Sequence, residues 1–319
     1  MSGMEERFAG IPGIPSGWFL IGYTGEIEPG SVKPLRYFAR DLVLFRTVSG
    51  ELSLLDAFCP HLGAHLGHGG TVKGEELECP FHAWRFGTDG KCTAVPYAKR
   101  QPKVANVPKW HLHVLADMIF AWHHPQGLEP TWRLPDTIPE FGTVEARNPD
   151  YTDWTRRDWI IKSCNQEMAE NAVDAAHFRY LHGTTNIPES MATIDGPLMK
   201  VVSPAGMTTP RGVVPGQIAS DNYGFGAGFV RFTGIVETLN VGCSTPIDEN
   251  TVHLRFNFMV KKMGGAEVNV GKAFIAEVSR QVEQDIPIWE NKRHLERPNL
   301  CDGDGPIALF RRWSQQFYA

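Results

Sequence analysis

Cys59-Pro60-His61 and Cys79-Pro80-Phe81-His82 each join a thiol to an imidazole, and 17 residues separate the two groups. Thiolates bind soft metals and imidazoles borderline ones. Zinc accepts such a set, but structural zinc sites usually take two Cys from one knuckle and two His from another. Here each loop offers one of each. That division fits a [2Fe–2S] cluster with two Cys on one iron and two His on the other; zinc stands as the alternative. Neutral imidazoles in place of thiolates raise the cluster's potential, so it would hand single electrons to an acceptor. Pro60 and Pro80 stiffen the loops, while Gly63, Gly67, Gly69 and Gly70 leave room for N–H groups to approach sulfur. His65 and His68 read as ordinary loop histidines, and Cys92 as a small core residue.

A second group lies between Asn171 and Gly183, with Asp174, His177 and His182. Oxygen-activating mononuclear iron takes two His and one carboxylate and keeps a face open. His177 and His182 are five apart, about 140° on a straight helix, so they do not share a face. The helix must therefore distort or end between them, and Gly183 is a natural stop. Alone, two histidines near a helix end read as capping or packing residues; the electron-carrying site upstream shifts the balance toward metal. The carboxylate is expected from a C-terminal helix whose apolar stripe runs Val278, Val282, Ile286, Trp289. Asp285, three after Val282 and four before Trp289, falls on or beside the buried face. A buried carboxylate is costly unless paired or metal-bound. Glu283 and Glu290 point away, so Asp285 is the expected third ligand.

The elements that must position these residues follow from periodicity and turn signals. Asp41–Arg46, Leu52–Leu55 and Met118–Trp122 read as strands, with a hairpin turn at Asp89-Gly90. Residues 125–150, with Pro125, Pro130, Pro135, Pro139 and Pro149, read as a boundary. A helix is expected from Glu167 to about Leu181, then strands at 223–232, 234–241 and 252–261, and a long helix from about Lys272 to His294. In the last strand Val252, Leu254, Phe256, Phe258 and Val260 share a face. The stretch 223–232 alternates glycines with aromatics: either room for a substrate or ordinary sheet packing. The outline is α+β, a β-rich first domain at 15–125 and a sheet-plus-helix domain at 126–319.

The chain has 319 residues, net charge −5 and 42% hydrophobic residues, which suits a packed globular protein. Its basic residues cluster only in short groups such as Arg311-Arg312 and Lys292-Arg293, too short for a nucleic-acid partner. No run of 18 apolar residues can span a bilayer, and the N-terminus lacks a secretory signal, so a cytoplasmic location is expected. Six cysteines in such a chain read as metal ligands or free thiols rather than disulfides.

The pattern C-P-H-L-G-A-H-L … C-P-F-H-A-W-R resembles Rieske domains of non-haem iron oxygenases, and N-x-x-D-x-x-H-x4-H resembles the iron motif of their α-subunits. The tail from Gln284 to Tyr318, with 33–70 and 92–100, is similar to 3-ketosteroid 9α-hydroxylase oxygenase components and their sterol-desaturase relatives. The resemblance implies an all-β Rieske [2Fe–2S] domain followed by a helix-grip catalytic domain. It implies that His177 and His182 hold mononuclear Fe(II), that Asn171 lies close to the iron, and that Asp174 bridges to a Rieske histidine, matching His82, of the neighbouring protomer in a head-to-tail homotrimer. Asp174 is also expected to hydrogen-bond His177. Electrons would come from a separate NAD(P)H-dependent flavin/iron–sulfur reductase, since the chain has no Gly-x-Gly-x-x-Gly motif. The expected reaction is O2-dependent hydroxylation of an apolar, steroid-like substrate. The alternatives are desaturation, O-demethylation or aromatic hydroxylation at the same site, and a Rieske ferredoxin-type carrier, against which the His/His/Asp set argues.

Overall fold

The computed structural model describes residues 7–100, 102, 104–184, 186–209, 212–265 and 267–318; residues 1–6 of the N-terminal stretch considered above lie outside them. The N-terminal part is built from three small antiparallel sheets. Gly17–Tyr23, Met118–His123 and Leu112–Leu115 form one. Val32–Tyr37, Arg40–Arg46, Leu52–Asp56 and Lys109–Trp110 form the second. Thr71–Lys73, Glu76–Glu78, Arg85–Phe86 and Cys92–Ala94 form the third, with Gly90 turning the expected hairpin.

A seven-stranded antiparallel sheet follows, in the order Thr155–Ile161, Thr251–Val260, Thr238–Asp248, Ala227–Thr233, Gly212–Tyr223, Leu198–Thr209, Met191–Asp195. Strand alternation gives this sheet two different faces. Leu239, Val241 and Cys243 pack with Trp18, Leu20, Phe120 and Trp122 of the first small sheet. The opposite face meets the helix Glu267–Asn291, whose Val282 and Trp289 bury against Val252 and Leu254, and whose Ile275 buries against Phe258 and Val260. The expected stripe on the 252–260 strand is therefore the helix-facing one. Each such side chain stabilises by roughly 2 kcal/mol on burial.

Four local readings differ from expectation. The helix expected over 167–181 is three short turns, Asn165–Ala169, Glu170–Ala172 and Ala176–Tyr180. Asp174 is the reason: its Oδ1 accepts the N–H of Ala176 (3.1 Å) and His177 (3.3 Å), capping a new helix. The 223–232 strand is broken at 224–226, where a Cβ on Gly226 would stand 1.9 Å from the Trp18 carbonyl. The 234–241 strand starts only at Thr238, after a left-handed Gly234. The strands from 191 to 223 lack the apolar alternation that would announce them, with Pro204 opposite Gln217 and Pro215 opposite Gly206. No helix among the described residues is long and apolar enough to cross a membrane.

Candidate active site

The two Cys/His loops are built alike. Cys59 and Cys79 each donate their N–H across the loop, to the carbonyls of Ala64 (2.9 Å) and Trp84 (2.8 Å). Each Cys carbonyl accepts from the residue four further on, Gly63 (2.9 Å) or Ala83 (3.1 Å). Both of those residues have left-handed backbones, φ 75° and 56°, a conformation that costs Ala83 energy and marks a built turn. The thiols lie at the bottom, 2% and 3% exposed, and the His61 and His82 rings meet edge to face 4.7 Å apart at the rim. Burial, with Cys79 alongside, pushes the Cys59 thiol up to about 11. Thiols so placed stay protonated unless a metal takes the proton's place, and a buried thiol pair beneath an imidazole pair fits the cluster. Trp84 stacks on His61 (4.6 Å, 7°) and donates its indole N–H to Tyr97 Oη (2.8 Å). The glycines serve packing more than sulfur: a Cβ on Gly67 would strike Pro34 at 2.9 Å, and one on Gly70 the Leu66 carbonyl at 2.0 Å. The His65 and His68 rings meet at a tilt within the loop, 4.4 Å apart, and Cys92 is half-buried at the edge of the same core.

The second group comes together across 100 residues of sequence. One ligand atom from each of His177, His182 and Asp285 lies within 4.8 Å of the others. The local backbone shows how five-residue spacing converges. The helix stops at Tyr180; Gly183, at φ 75°, donates to the Arg179 carbonyl (3.2 Å), and His182 swings back so that its ring sits 5.0 Å from that of His177. Asp285 is 7% exposed, and its Oδ1, 3.4 Å from His182 Nε2, has no hydrogen-bond partner. A bare carboxylate oxygen in that setting is unfavourable unless a cation meets it, so these residues fit a metal ion. Burial lowers the His177 pKa despite the opposing pull of Asp285. Burial also opposes charge on His182, but Asp285 and Gln284 outweigh it and raise that pKa.

The remaining expected residues fall around this centre. His177 Nδ1 meets the main-chain carbonyl of Asp174 at 2.5 Å, while the Asp174 carboxylate stands 3.9 Å away and caps the helix. The expected carboxylate–histidine hydrogen bond is thus a carbonyl–histidine one. Asn171 Oδ1 accepts from Trp289 Nε1 (3.3 Å). Glu283 is exposed, and Glu290 accepts the Lys162 N–H at the surface (3.2 Å). Gln284, which the sequence reading passed over, places Oε1 3.1 Å from His182 Nδ1. Its position beside Asp285 was the available signal, since a ligating histidine usually binds a fixed partner through its other nitrogen.

His177, His182 and Asp285 line a cavity of about 270 Å³ between the helix and the sheet. Phe178, Val230, Phe232, Leu254, Phe256 and Val282 give it apolar walls, and Gly224, Gly228 and Gly242 thin its floor. The alternating stretch at 223–232 therefore does face open space, through Phe225, Ala227, Gly228, Val230 and Phe232.

A paired-loop cluster site and a His/His/carboxylate centre at the end of an apolar cavity define a Rieske non-haem iron oxygenase. Residues 17–110 match the Rieske [2Fe-2S] domain family, and residues 121–318 match the 3-ketosteroid 9alpha-hydroxylase C-terminal domain family. The chain belongs to the latter family and is an oxygenase component. It is 34% identical to a 3-ketosteroid-9-alpha-monooxygenase oxygenase component of Rhodococcus rhodochrous, over 95% of this chain and 83% of that protein. It is 32% identical to a cholesterol 7-desaturase of Ciona intestinalis, over 96% and 69%. Dicamba monooxygenase bound to dicamba superposes with a TM-score of 0.73 at 17% identity, over 95% of this chain and 96% of that one. NdmA of Pseudomonas putida CBB5 with caffeine superposes at 0.72 and 19%, over 93% and 89%. These two likenesses are of fold.

Proposed function

We propose that the chain hydroxylates an apolar, steroid-like substrate with O2, as a cytoplasmic homotrimer fed by a separate NAD(P)H-dependent flavin/iron–sulfur reductase. The work divides between residues 15–125 and 126–319, a division supported by the two family matches at 17–110 and 121–318. Cys59, His61, Cys79 and His82 hold the cluster, and His177, His182 and Asp285 hold Fe(II). When bound, the cluster supplies one-electron transfer and the iron activates oxygen. The observation that carries the reading is the convergence of those three side chains at one apolar cavity.

The chain's own groups prepare that site. The Asp174 carbonyl and the Gln284 amide oxygen each engage a histidine Nδ1, which leaves both Nε2 atoms free of the proton, that of His182 3.4 Å from Asp285 Oδ1. Trp289 fixes Asn171 beside the cavity. The apolar walls exclude water and orient the substrate's C–H bonds toward the ligand set. The Asp174 carboxylate, one-third exposed beside its helix cap, is the electron bridge to His82 of a neighbouring protomer in a head-to-tail ring.

Turnover of a panel of steroids with a surrogate reductase, read by product mass, tests the proposal. Gain of one oxygen atom is expected; no oxygen incorporated from any steroid refutes the substrate assignment. The desaturase relative favours one second reading, desaturation, which the same spectra reveal as loss of a hydrogen pair.

A further inference from the structure

The cavity floor has a feature that the iron site does not explain. Asn222, Gly228, Gly242 and Phe256 lie in one register row across four neighbouring strands. Neither Gly228 nor Gly242 has a left-handed backbone, so conformation does not require glycine there. Space does. A Cβ on Gly228 would stand 2.8 Å from Asn222 Oδ1, and one on Gly242 would stand 3.2 Å from the Phe256 ring. Glycine at both places lets the Asn222 carboxamide and the Phe256 ring lie down against the floor instead of standing up into the cavity, which keeps that wall low and flat.

Asn240 borders that low wall, two residues from Gly242 and opposite Val230. Alternation sends Leu239 and Val241 into the core on the far side and leaves Asn240 on the cavity side. The residue is 2% exposed, and its Oδ1 has no hydrogen-bond partner. Among the described residues, the buried partnerless polar atoms on the cavity wall are Asn240 Oδ1 and Asp285 Oδ1. The second awaits a metal. Other polar wall residues are already matched: Asn222 donates to Ser220 Oγ (2.9 Å) and the Met199 carbonyl (3.2 Å), and Ser203 pairs with Ser190 (2.7 Å). A buried amide oxygen left bare recovers its lost solvation only when a ligand bonds to it.

We propose that Asn240 is the specificity-determining anchor for an oxygen function, hydroxyl or ketone, on a flat fused-ring substrate lying over Gly228 and Gly242. This rests on the steroid-like substrate proposed above and adds to it the position of a polar contact. A carboxamide serves either partner: its oxygen accepts from a hydroxyl, and its nitrogen donates to a ketone.

The test is equilibrium binding to the holoenzyme of two matched sets: androstane with its single-oxygen alcohols and ketones, and naphthalene with 2-naphthol. Wild type should bind the best oxygenated member about tenfold more tightly than its hydrocarbon. Asn240→Leu should erase that difference without weakening the hydrocarbon. Gly242→Ala should weaken every flat ligand, oxygenated or not, because its methyl pushes the Phe256 ring up into the cavity. Unchanged iron content and cluster absorption certify both variants as folded. A preference that survives in Asn240→Leu overturns the proposal, as does a wild type with no preference on either skeleton. If the naphthalene set alone binds and shows the Asn240-dependent preference, the anchor stands and the steroid reading falls. If steroids bind with no such preference, the steroid reading stands and the anchor falls.

Discussion

Arg311, on a short last helix at Ile307–Ser314, joins the tail to the turn that carries Asn171. Its Nε and Nη2 bind the two carboxylate oxygens of Glu170 at 2.6 and 3.0 Å, and Nη1 bonds the Leu295 carbonyl. The two side chains are 17% and 10% exposed, so solvent screens the pair weakly. Burial opposes charge on Arg311, but Glu170 outweighs it and raises the guanidinium pKa. Arg311→Met keeps most of the packing volume and strands the Glu170 carboxylate. Removing one member of a buried pair costs about 3–5 kcal/mol; because this pair reaches the surface at one edge, about 3 kcal/mol is expected. Glu170→Met strands the guanidinium at similar cost. The double variant strands neither charge, so it should recover most of one loss, a coupling of about 2–3 kcal/mol.

The assay is thermal unfolding of the loaded protein at one scan rate, a fair comparison for a chain with bound cofactors. It is paired with mononuclear iron retention on dialysis. Glu170 lies on the turn Glu170–Ala172 that leads through Asp174 into His177, so each single variant should lose mononuclear iron faster with cluster absorption unchanged. Additive losses in the double variant would refute the reasoning, since they would mean the pair acts only through separate packing.

Asp285→Ala should lose about one iron per chain and keep the Rieske absorption; full iron content would show the third ligand to be another residue. Asp174→Asn keeps a helix cap and both metals, and should slow reoxidation of the reduced cluster in the presence of substrate and O2; an unchanged rate would exclude the bridging role. Gln284→Leu should weaken Fe(II) binding by roughly 10–100-fold, measured by competition with a chelator, whereas an unchanged affinity would mean that the 3.1 Å contact to His182 sets nothing. His123 is held to about 4 by burial, offset in part by the Pro15 carbonyl. The unfolded chain protonates it near 6.5, so stability is full above that pH and falls by about 3 kcal/mol as pH drops toward 4. His123→Phe should flatten that part of the pH profile, and a slope as steep as wild type would refute the assignment.

What was legible in the sequence was whatever depended on short-range spacing. Two Cys/His loops announce themselves because each is a closed turn whose residues meet within five positions. Asp285 was legible because the helix stripe around it is regular and a carboxylate in that stripe has no apolar reason to be there. What stayed hidden depended on contacts between distant segments. The long ribbon from 191 to 223 stands partly in solvent, so nothing in its side chains must alternate. Gly226 looks like its neighbours Gly224 and Gly228, but the first meets the Trp18 carbonyl and the last floors a cavity. No local pattern separates those roles.

His177 and His182 fall between the two cases. Their spacing is wrong for any straight helix, and that conflict was itself the information: a metal reading of the pair required a helix that ends in between. The structure resolves it with two devices readable one residue at a time, a cap at Asp174 and a left-handed stop at Gly183. The capped segment Ala176–Tyr180 is only five residues long. A helix that short cannot hold itself together in water, so its ligand geometry must be sustained from outside. The clamps on either flank, Arg311 on Glu170 before it and Gln284 on His182 after it, supply that support. Both clamping residues come from the C-terminal quarter of the chain, near Asp285. The part of the sequence that delivers Asp285 thus also holds His177 and His182 in place, and damage to the tail should loosen the proposed iron site before it reaches the fold.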